Sequence, residues 1–263
     1  MRTQPPVVSA LMIVRDREDL LSAAVASVMA QEGPSLELLI VDDGSTDGTG
    51  DVATSLSAAD SRVRVLPSRR CGIPASRNRG VAAARGEFIA ICDSDDLSRP
   101  RRFATQVMAL REDPLLVGVG CRFSVFRDDP NAGEVVDWRW GLRGGRGPFA
   151  FPTGMLRTTA VRSVGGFDTR FPIVEDLDLC YRLAGRGGRF AIVPQVLVDY
   201  RVGGQGVSER NAELFRYTAK AQIHGLRELR GGFTPIGYAT VAQSLWRAGR
   251  DRYRSRFSNA TKR

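Results

Sequence analysis

Histidine is nearly missing from this 263-residue chain: His224 stands alone. No obvious Ser-His-Asp set exists to supply an enzymic nucleophile. The four cysteines, Cys71, Cys92, Cys121 and Cys180, form no CxxC pair. That argues against a zinc site and against a disulfide framework, and the plain expectation is reduced thiols in a cytoplasmic protein. No run of about 18 uncharged apolar residues occurs, so no transmembrane helix is expected. Met1–Pro6 lacks the apolar segment of a signal peptide. GxGxxG does not follow the first apolar run, and GxxxxGK[ST] is absent. A dinucleotide fold of the Rossmann type and a P-loop are thereby excluded, and a bound phosphate would be held by carboxylates, arginines and metal. No basic–aromatic binding module appears, so nucleic acid is not an expected partner. Internal repeats and low-complexity segments are missing as well.

What is present is positive charge, +9 overall and nearly all of it arginine. Such a balance suits anionic partners, either nucleotide phosphates or an acidic lipid surface. The 43% hydrophobic content is enough for a sizeable core. The most informative stretch is Glu87–Asp96, EFIAICDSDD. Its apolar run reads as a strand buried on both faces, as in a parallel sheet. Three carboxylates, Asp93, Asp95 and Asp96, must emerge where that strand ends, because they cannot follow it into the core. In open α/β sheets ligands bind in the crevice at the carboxyl ends of the strands. A hard cation such as Mg²⁺ or Mn²⁺ would relieve the repulsion and leave positions for phosphate oxygens. A solvated acidic turn is the competing interpretation.

Around this element the chain alternates. Val7–Val14, Leu36–Val41 and Arg62–Leu66 read as strands, and Asp16 and Asp47 as starts of the intervening helices. A helix follows from Pro74 to near Gly86. Strand–helix alternation of this kind calls for a parallel sheet with right-handed crossovers. Further on, Pro100 opens a helix, and Leu115–Phe126 and Val135–Trp140 are strand-like. Pro172–Ala184 is helical, Arg189–Val193 and Val196–Arg201 are two strands, and Ser208 caps a long helix. A last helix spans about Pro235–Gly249, and Arg250–Arg263 reads as a loose basic tail. The expectation is one mixed α/β domain with a helical C-terminal appendage.

Several motifs stand in order: VSALMIVRDRED, LELLIVDDGSTDGT, GIPASRNRGVAAARGEFIAICDSDD, GGFD, VEDLDLCYRLAGRG and VDYR. The ordered set resembles the inverting glycosyltransferases of family 2, with the GT-A (nucleotide-diphospho-sugar transferase) fold, over residues 6–202. The resemblance implies a mostly parallel central sheet flanked by helices. It implies a GT-A domain over 1–204, with a nucleotide-binding half at about 1–100 and an acceptor half at about 101–204. Residues 205–263 would be a helical extension with a basic tail. It further implies a hexosyltransferase type of activity: metal-dependent, inverting transfer of a sugar from a nucleotide-diphosphate sugar to an acceptor hydroxyl. The acceptor could be a glycan, a lipid-linked molecule or a small molecule.

By the same resemblance, Asp43 matches the base-contacting position, with Asp42 beside it, and Ile13 and Arg15 end the first strand at the nucleotide. Arg77 and Asn78 border the nucleotide pocket. Asp93-Ser94-Asp95 matches the DxD motif, with Asp95 and Asp93 toward a Mn²⁺ or Mg²⁺ ion and Ser94 toward the ribose. Asp176, preceded by Glu175, matches the catalytic base, and Tyr200-Arg201 closes the site. A single displacement needs one base and no enzymic nucleophile. The sequence departs from the pattern in two places. Ile13-Val14-Arg15-Asp16 lacks the aromatic that stacks on the base, and no histidine follows Tyr200-Arg201 as an extra metal ligand. QxxRW, the signature of processive polymer synthases, is absent, so transfer of one sugar at a time is expected. Plainer interpretations stay open: Glu175-Asp176-Asp178 as the acidic first turn of a helix, Asp42–Ser45 as a turn, Arg77 and Arg79 as a solvated face, His224 as a surface or packing residue. Competing functions are a nucleotidyltransferase, though no GxGxRL-type loop lies near the N-terminus, and a non-catalytic sugar-nucleotide or acceptor binder. The basic tail after Arg247 could touch an anionic membrane or a phosphorylated lipid.

Overall fold

Buried apolar runs alternating with amphipathic stretches produce strand and helix in turn throughout the computed structural model, which describes residues 4–136, 141–203, 212–229 and 233–258. The first half runs β1 (Val8–Val14), α1 (Glu18–Met29), β2 (Leu36–Asp43), α2 (Thr49–Ala59), β3 (Val63–Ser68), α3 (Ile73–Ala83) and β4 (Phe88–Asp93). The second half runs β5 (Leu97–Ser98), α4 (Arg102–Glu112), β6 (Leu116–Phe126), β7 (Glu134–Val136), β8 (Met155–Arg157), α5 (Thr158–Ser163), α6 (Glu175–Gly185) and β9 (Arg189–Arg201). Two helices follow, α7 (Ala212–Glu228) and α8 (Pro235–Ser258).

One sheet carries the strands in the order β3-β2-β1-β4-β8-β6-β9-β5, with β7 paired to β6. β3, β2, β1 and β4 are parallel, and β8 runs against both β4 and β6. β6 therefore points the same way as β4, and β9 is parallel to β6. Six of the nine strands thus share one direction, and β5, β7 and β8 oppose it. The carboxyl ends of β1, β2, β4 and β9 fall on a common edge as a consequence.

Period-two alternation sorts the core onto both faces of this sheet. Val8, Ala10, Met12 and Val14 of β1 and Phe88, Ala90 and Cys92 of β4 pack with α1 and α4 through Leu21, Val25, Phe103 and Leu110. Leu11, Leu39, Ile89 and Ile91 face the other way, onto Val81, Val161, Leu179 and Leu183 of α3, α5 and α6. Fully burying each such side chain contributes about 1.5–3 kcal/mol. A third cluster, Phe171, Leu177, Tyr181, Ala221, Phe233 and Val241, fastens α7 and α8 to α6.

Several local expectations change. Asp16 does not cap α1. It adopts a left-handed backbone, and Arg17 is the N-cap. β2 does not stop at Val41 but carries Asp42 and Asp43 as ladder residues against Pro67 and Ser68. The two strands read at Arg189–Val193 and Val196–Arg201 are one strand, irregular between Val193 and Val196 where its register against β6 shifts. β8 is too short, at three residues, to announce itself by alternation. Helix α8 continues to Ser258, so 250–258 is helical backbone rather than a loose tail. The expected strand residues 137–140, the cap at Ser208 and the tail residues 259–263 lie outside the described residues. No helix among the described residues is long and apolar enough to cross a membrane.

Candidate active site

The shared strand edge opens into a cleft of about 930 Å³. Its walls come from the ends of β1, β2, β4 and β9, from the turn at 151–152 and from the chain entering α6. Five arginines (Arg15, Arg17, Arg70, Arg77, Arg201) and six carboxylates (Asp16, Asp43, Asp93, Asp95, Glu175, Asp176) line it. Such a lining suits a ligand that carries negative charge and a cation together.

The loops after β1 and β2 are stitched to each other. Thr46 N and Oγ1 donate to Asp16 Oδ1 at 2.7 and 3.2 Å, and Asp16 N donates to Ser45 Oγ at 3.1 Å. Arg17 N reaches Thr49 Oγ1 at 2.8 Å, and Gly48 N reaches Glu18 Oε2 at 2.9 Å. Asp16 pays for this with a left-handed φ of 49°, a conformation that aspartate tolerates better than most residues. Asp42 turns away from the cleft and accepts from Ser45 N and Oγ at 2.9 and 2.7 Å, so it fixes the loop. Asp43 is buried and organises 71–76: Cys71 N, Gly72 N and Ser76 Oγ all donate to its Oδ1, at 2.8, 3.1 and 2.8 Å. Among the described residues its Oδ2 receives only Gly72 N, at 3.1 Å, which leaves capacity for a ligand donor.

At the tip of β4, Asp93, Ser94 and Asp95 all line the cleft. Arg17 Nε sits 3.6 Å from Asp95 Oδ2. Burial pushes the Asp93 carboxyl upward, with Arg77 opposing and Asp95 adding to the effect. Asp96 lies just behind and is raised to about 8, first by burial and then by Asp93. Its Oδ1 accepts from Arg201 N at 2.8 Å, while its Oδ2 is buried without a hydrogen-bond partner. Arg201 also donates Nε to Asp95 O at 3.2 Å and lies over the Phe126 ring at 4.5 Å. The end of β9 is thereby locked onto the acidic tip.

Across the cleft, Val174 has φ 61°, left-handed for a β-branched residue, directly before Glu175 and Asp176. Strain of this kind costs about 1–3 kcal/mol and collects at functional sites. Glu175 is buried and ion-paired with Arg77, whose guanidinium lies 4.8 Å from the Phe151 ring and 5.4 Å from the Phe167 ring. Burial, aided by Asp176, lifts the Glu175 carboxyl to about 7 against the pull of Arg77. Asp176 accepts from Leu177 N at 2.8 Å, in the first turn of α6 where the helix dipole favours an anion. Two residues on, Asp178 is 0% exposed and accepts from Arg182 Nε at 2.8 Å, and its Oδ1 lies 2.7 Å from His224 Nδ1. His224 therefore joins α7 to α6, a role its isolation in the sequence did not reveal.

The cleft gathers Ile13, Arg15, Asp43, Arg77, Asp93, Ser94, Asp95, Glu175, Asp176 and Arg201. Asn78 does not line it. Its amide donates to Phe167 O and accepts from Phe167 N, both at 2.7 Å, and so pins the Gly165–Asp168 loop. Gly166 in that loop has φ 73°, and a Cβ there would collide with Asn78 Oδ1. Sequence reading gave no site role to Arg17, Arg70, Phe151, Pro172–Val174 and Leu214, which reach the cleft through folding.

A profile described as "Glycosyl transferase family 2" matches residues 9–161. The putative glycosyltransferase EpsE of Bacillus subtilis is 29% identical over 262 residues, covering 92% of this chain and 89% of the relative. EpsH of the same organism is 39% identical, covering 37% of this chain and 28% of its own length. Among solved structures, the mannosyltransferase PcManGT of Pyrobaculum calidifontis, in complex with GDP-Man and Mn²⁺, superposes with a TM-score of 0.71 at 19% identity. That match covers 94% of this chain and 73% of PcManGT. S. aureus TarS 1-349 with UDP-GlcNAc gives 0.69 at 14% identity, covering 91% and 72%. The chain spans only 39% of the longer TarS chain. The last two likenesses establish the architecture, a mixed α/β sheet of GT-A type. With the family profile covering more than half its length and its acids and arginines gathered at one strand edge, this chain belongs to glycosyl transferase family 2 and is a glycosyltransferase.

Proposed function

We propose that the chain moves one sugar at a time from a nucleotide-diphosphate sugar to an acceptor hydroxyl, with inversion and with a divalent metal. The observation that carries this is the meeting in one cleft of Asp43, the Asp93–Asp95 tip and the Glu175–Asp176 helix start, opposite a set of arginines. The GDP-Man and UDP-GlcNAc named with PcManGT and TarS support the donor class. Asp93 and Asp95 suit Mg²⁺ or Mn²⁺, which takes one or two carboxylates and fills its other positions with phosphate oxygens and water. Among the described residues no three His, Cys, Asp or Glu side chains form a ready cage, in keeping with a site completed by the donor. When bound, the ion would neutralise charge on the departing diphosphate.

The protein's own residues supply the rest. Asp43 Oδ2 is available to a donor group of the base, and Ser94 to the ribose. Arg15, whose Nε lies 3.3 Å from Asp16 Oδ2, and Arg17 can meet phosphate oxygens. Asp176, held by Leu177 N, takes the proton from the attacking acceptor hydroxyl on the face opposite the leaving group. Arg77 and Glu175 hold the start of α6 against the Phe151 turn and so set where that base stands. The nucleotide half is about 1–100 and the acceptor half about 101–204, with the 172–174 rim and Leu214 toward the acceptor.

Calorimetric titration of UDP-, GDP- and dTDP-sugars, with and without Mn²⁺, tests the reading. Metal-dependent binding of one of them is expected, and no binding of any would overturn it. The basic segment after Arg247 would add a peripheral contact with anionic lipid. Removing Arg250–Arg263 should weaken salt-sensitive binding to phosphatidylserine vesicles, and unchanged binding would refute that contact.

A further inference from the structure

Helix α8 has a buried side and an apolar side that faces water. Val241 and Ser244 are buried, and Val241 belongs to the cluster that fastens the helix to α6 and α7. Tyr238, Ala242, Leu245 and Trp246 recur at i, i+4, i+7 and i+8, so they share another side of the helix. Tyr238, Leu245 and Trp246 are 52%, 51% and 61% exposed, and Ala242 is exposed with them. A single leucine at a surface needs no explanation. Three large apolar side chains along one stripe, about two helical turns long, mark an interaction surface.

The charge that follows the stripe says what covers it. Between 247 and 263 the chain carries seven Lys or Arg and one Asp. The α8 backbone continues to Ser258, so five of those seven lie within the same helix. Tryptophan and tyrosine favour the level of lipid headgroups, where one end of the ring is apolar and the other wet. Arginines beside such rings meet lipid phosphates. A second copy of the chain fits less well, because it would meet the stripe with the same positive charge instead of the opposite one. The stripe also ends beside the cleft. Arg247, next to Trp246, lies over the Phe215 ring at 5.3 Å, and Leu214, the neighbour of Phe215, lines the cleft.

We propose that the Tyr238–Trp246 side of α8 is a bilayer-docking surface: Tyr238, Leu245 and Trp246 enter the interface of an anionic membrane, and the basic residues that follow meet its headgroups. Docking there holds the Leu214 side of the cleft near the lipid. A basic segment alone would grip the membrane by charge and release it in salt, whereas the stripe adds a part that salt leaves in place. This contact does not rest on the sugar-transfer reading, since vesicle binding is measured with no sugar nucleotide present.

The test is flotation of the full chain with mixed phosphatidylcholine and phosphatidylserine vesicles, at low salt and in about 0.5 M NaCl, where surface charge is largely screened. Leu245→Ser/Trp246→Ser should lower the partition coefficient about tenfold at low salt and remove the binding that persists at high salt. Met108→Ser/Leu115→Ser, at exposed apolar positions outside α8, should bind as wild type does. Brominated lipid should quench the tryptophan fluorescence of wild type more than that of Trp246→Phe. If the α8 double variant does not fold, Tyr238→Ser replaces it, with a smaller loss in the same direction. Equal partition of the α8 variant and wild type, an equal loss in the control pair, or wild-type binding abolished outright by salt would leave charge alone and overturn the proposal. A wild type that sediments as a dimer, and as a monomer after Leu245→Ser/Trp246→Ser, would assign the stripe to a second copy and overturn it as well.

Discussion

Replacing Glu175 with glutamine should remove one specific piece of the protein's pH dependence. The carboxyl is 5% exposed, and burial lifts it from its ordinary 4.5 to about 7 despite the Arg77 guanidinium beside it. A carboxyl raised on folding favours the folded state while it is protonated. Its contribution is therefore complete below 4.5, declines as pH rises, and is lost once pH passes 7. At 1.36 kcal/mol per pH unit the whole swing is about 3 kcal/mol, of which roughly 2–3 kcal/mol falls between pH 5 and pH 8. Glutamine keeps the shape and cannot ionise. Titrating groups away from Glu175 are common to both proteins and cancel in the difference. Urea unfolding of wild type and Glu175→Gln at pH 5 and pH 8 measures it. The stability of the variant relative to wild type should rise by about 2–3 kcal/mol from the lower to the higher pH. Parallel curves, with a difference that does not change with pH, would show that Glu175 ionises as freely folded as unfolded, and the account of its burial would fail.

Three further outcomes are expected. Asp176→Asn should lower turnover by about 100-fold or more, the usual reach of a general base, while sugar-nucleotide binding by calorimetry is retained; near-normal turnover would remove it as the base. Asp95→Ala should abolish the Mn²⁺ dependence of nucleotide binding, and a persistent metal effect would move the metal elsewhere. His224→Phe leaves the buried Asp178 with Arg182 alone, so unfolding in urea should show a loss of about 1–3 kcal/mol, and an unchanged midpoint would make the α6–α7 hydrogen bond incidental.

Sequence carried the strand–helix alternation and parallel sheet of the first half well, because β1, β2 and β4 are buried on both faces and appear as largely apolar runs with acids close behind. Asp93, Asp95 and Asp176 reach one cleft because β4 ends, and α6 begins, on the same edge of the sheet. Asp42 and Asn78 were harder to place. Each neighbours a cleft residue in sequence but turns its side chain onto a loop backbone, at Ser45 and Phe167, and such local hydrogen bonds carry no periodic trace. Arg102 and His224 were the least legible. An arginine opening a helix normally faces water, and only the fold brings Pro152 O to its fork, as only the fold brings Asp178 to His224.

The crossed hydrogen bonds between the loops after β1 and β2 have a kinetic consequence. With Asp16 holding Thr46 and Glu18 holding Gly48, the two segments can only travel as a unit. That bank of the cleft behaves as a fixed jaw. An opening of the cleft that left this jaw in place would have to come from the opposite bank, Pro172–Val174, where the Val174 backbone is left-handed.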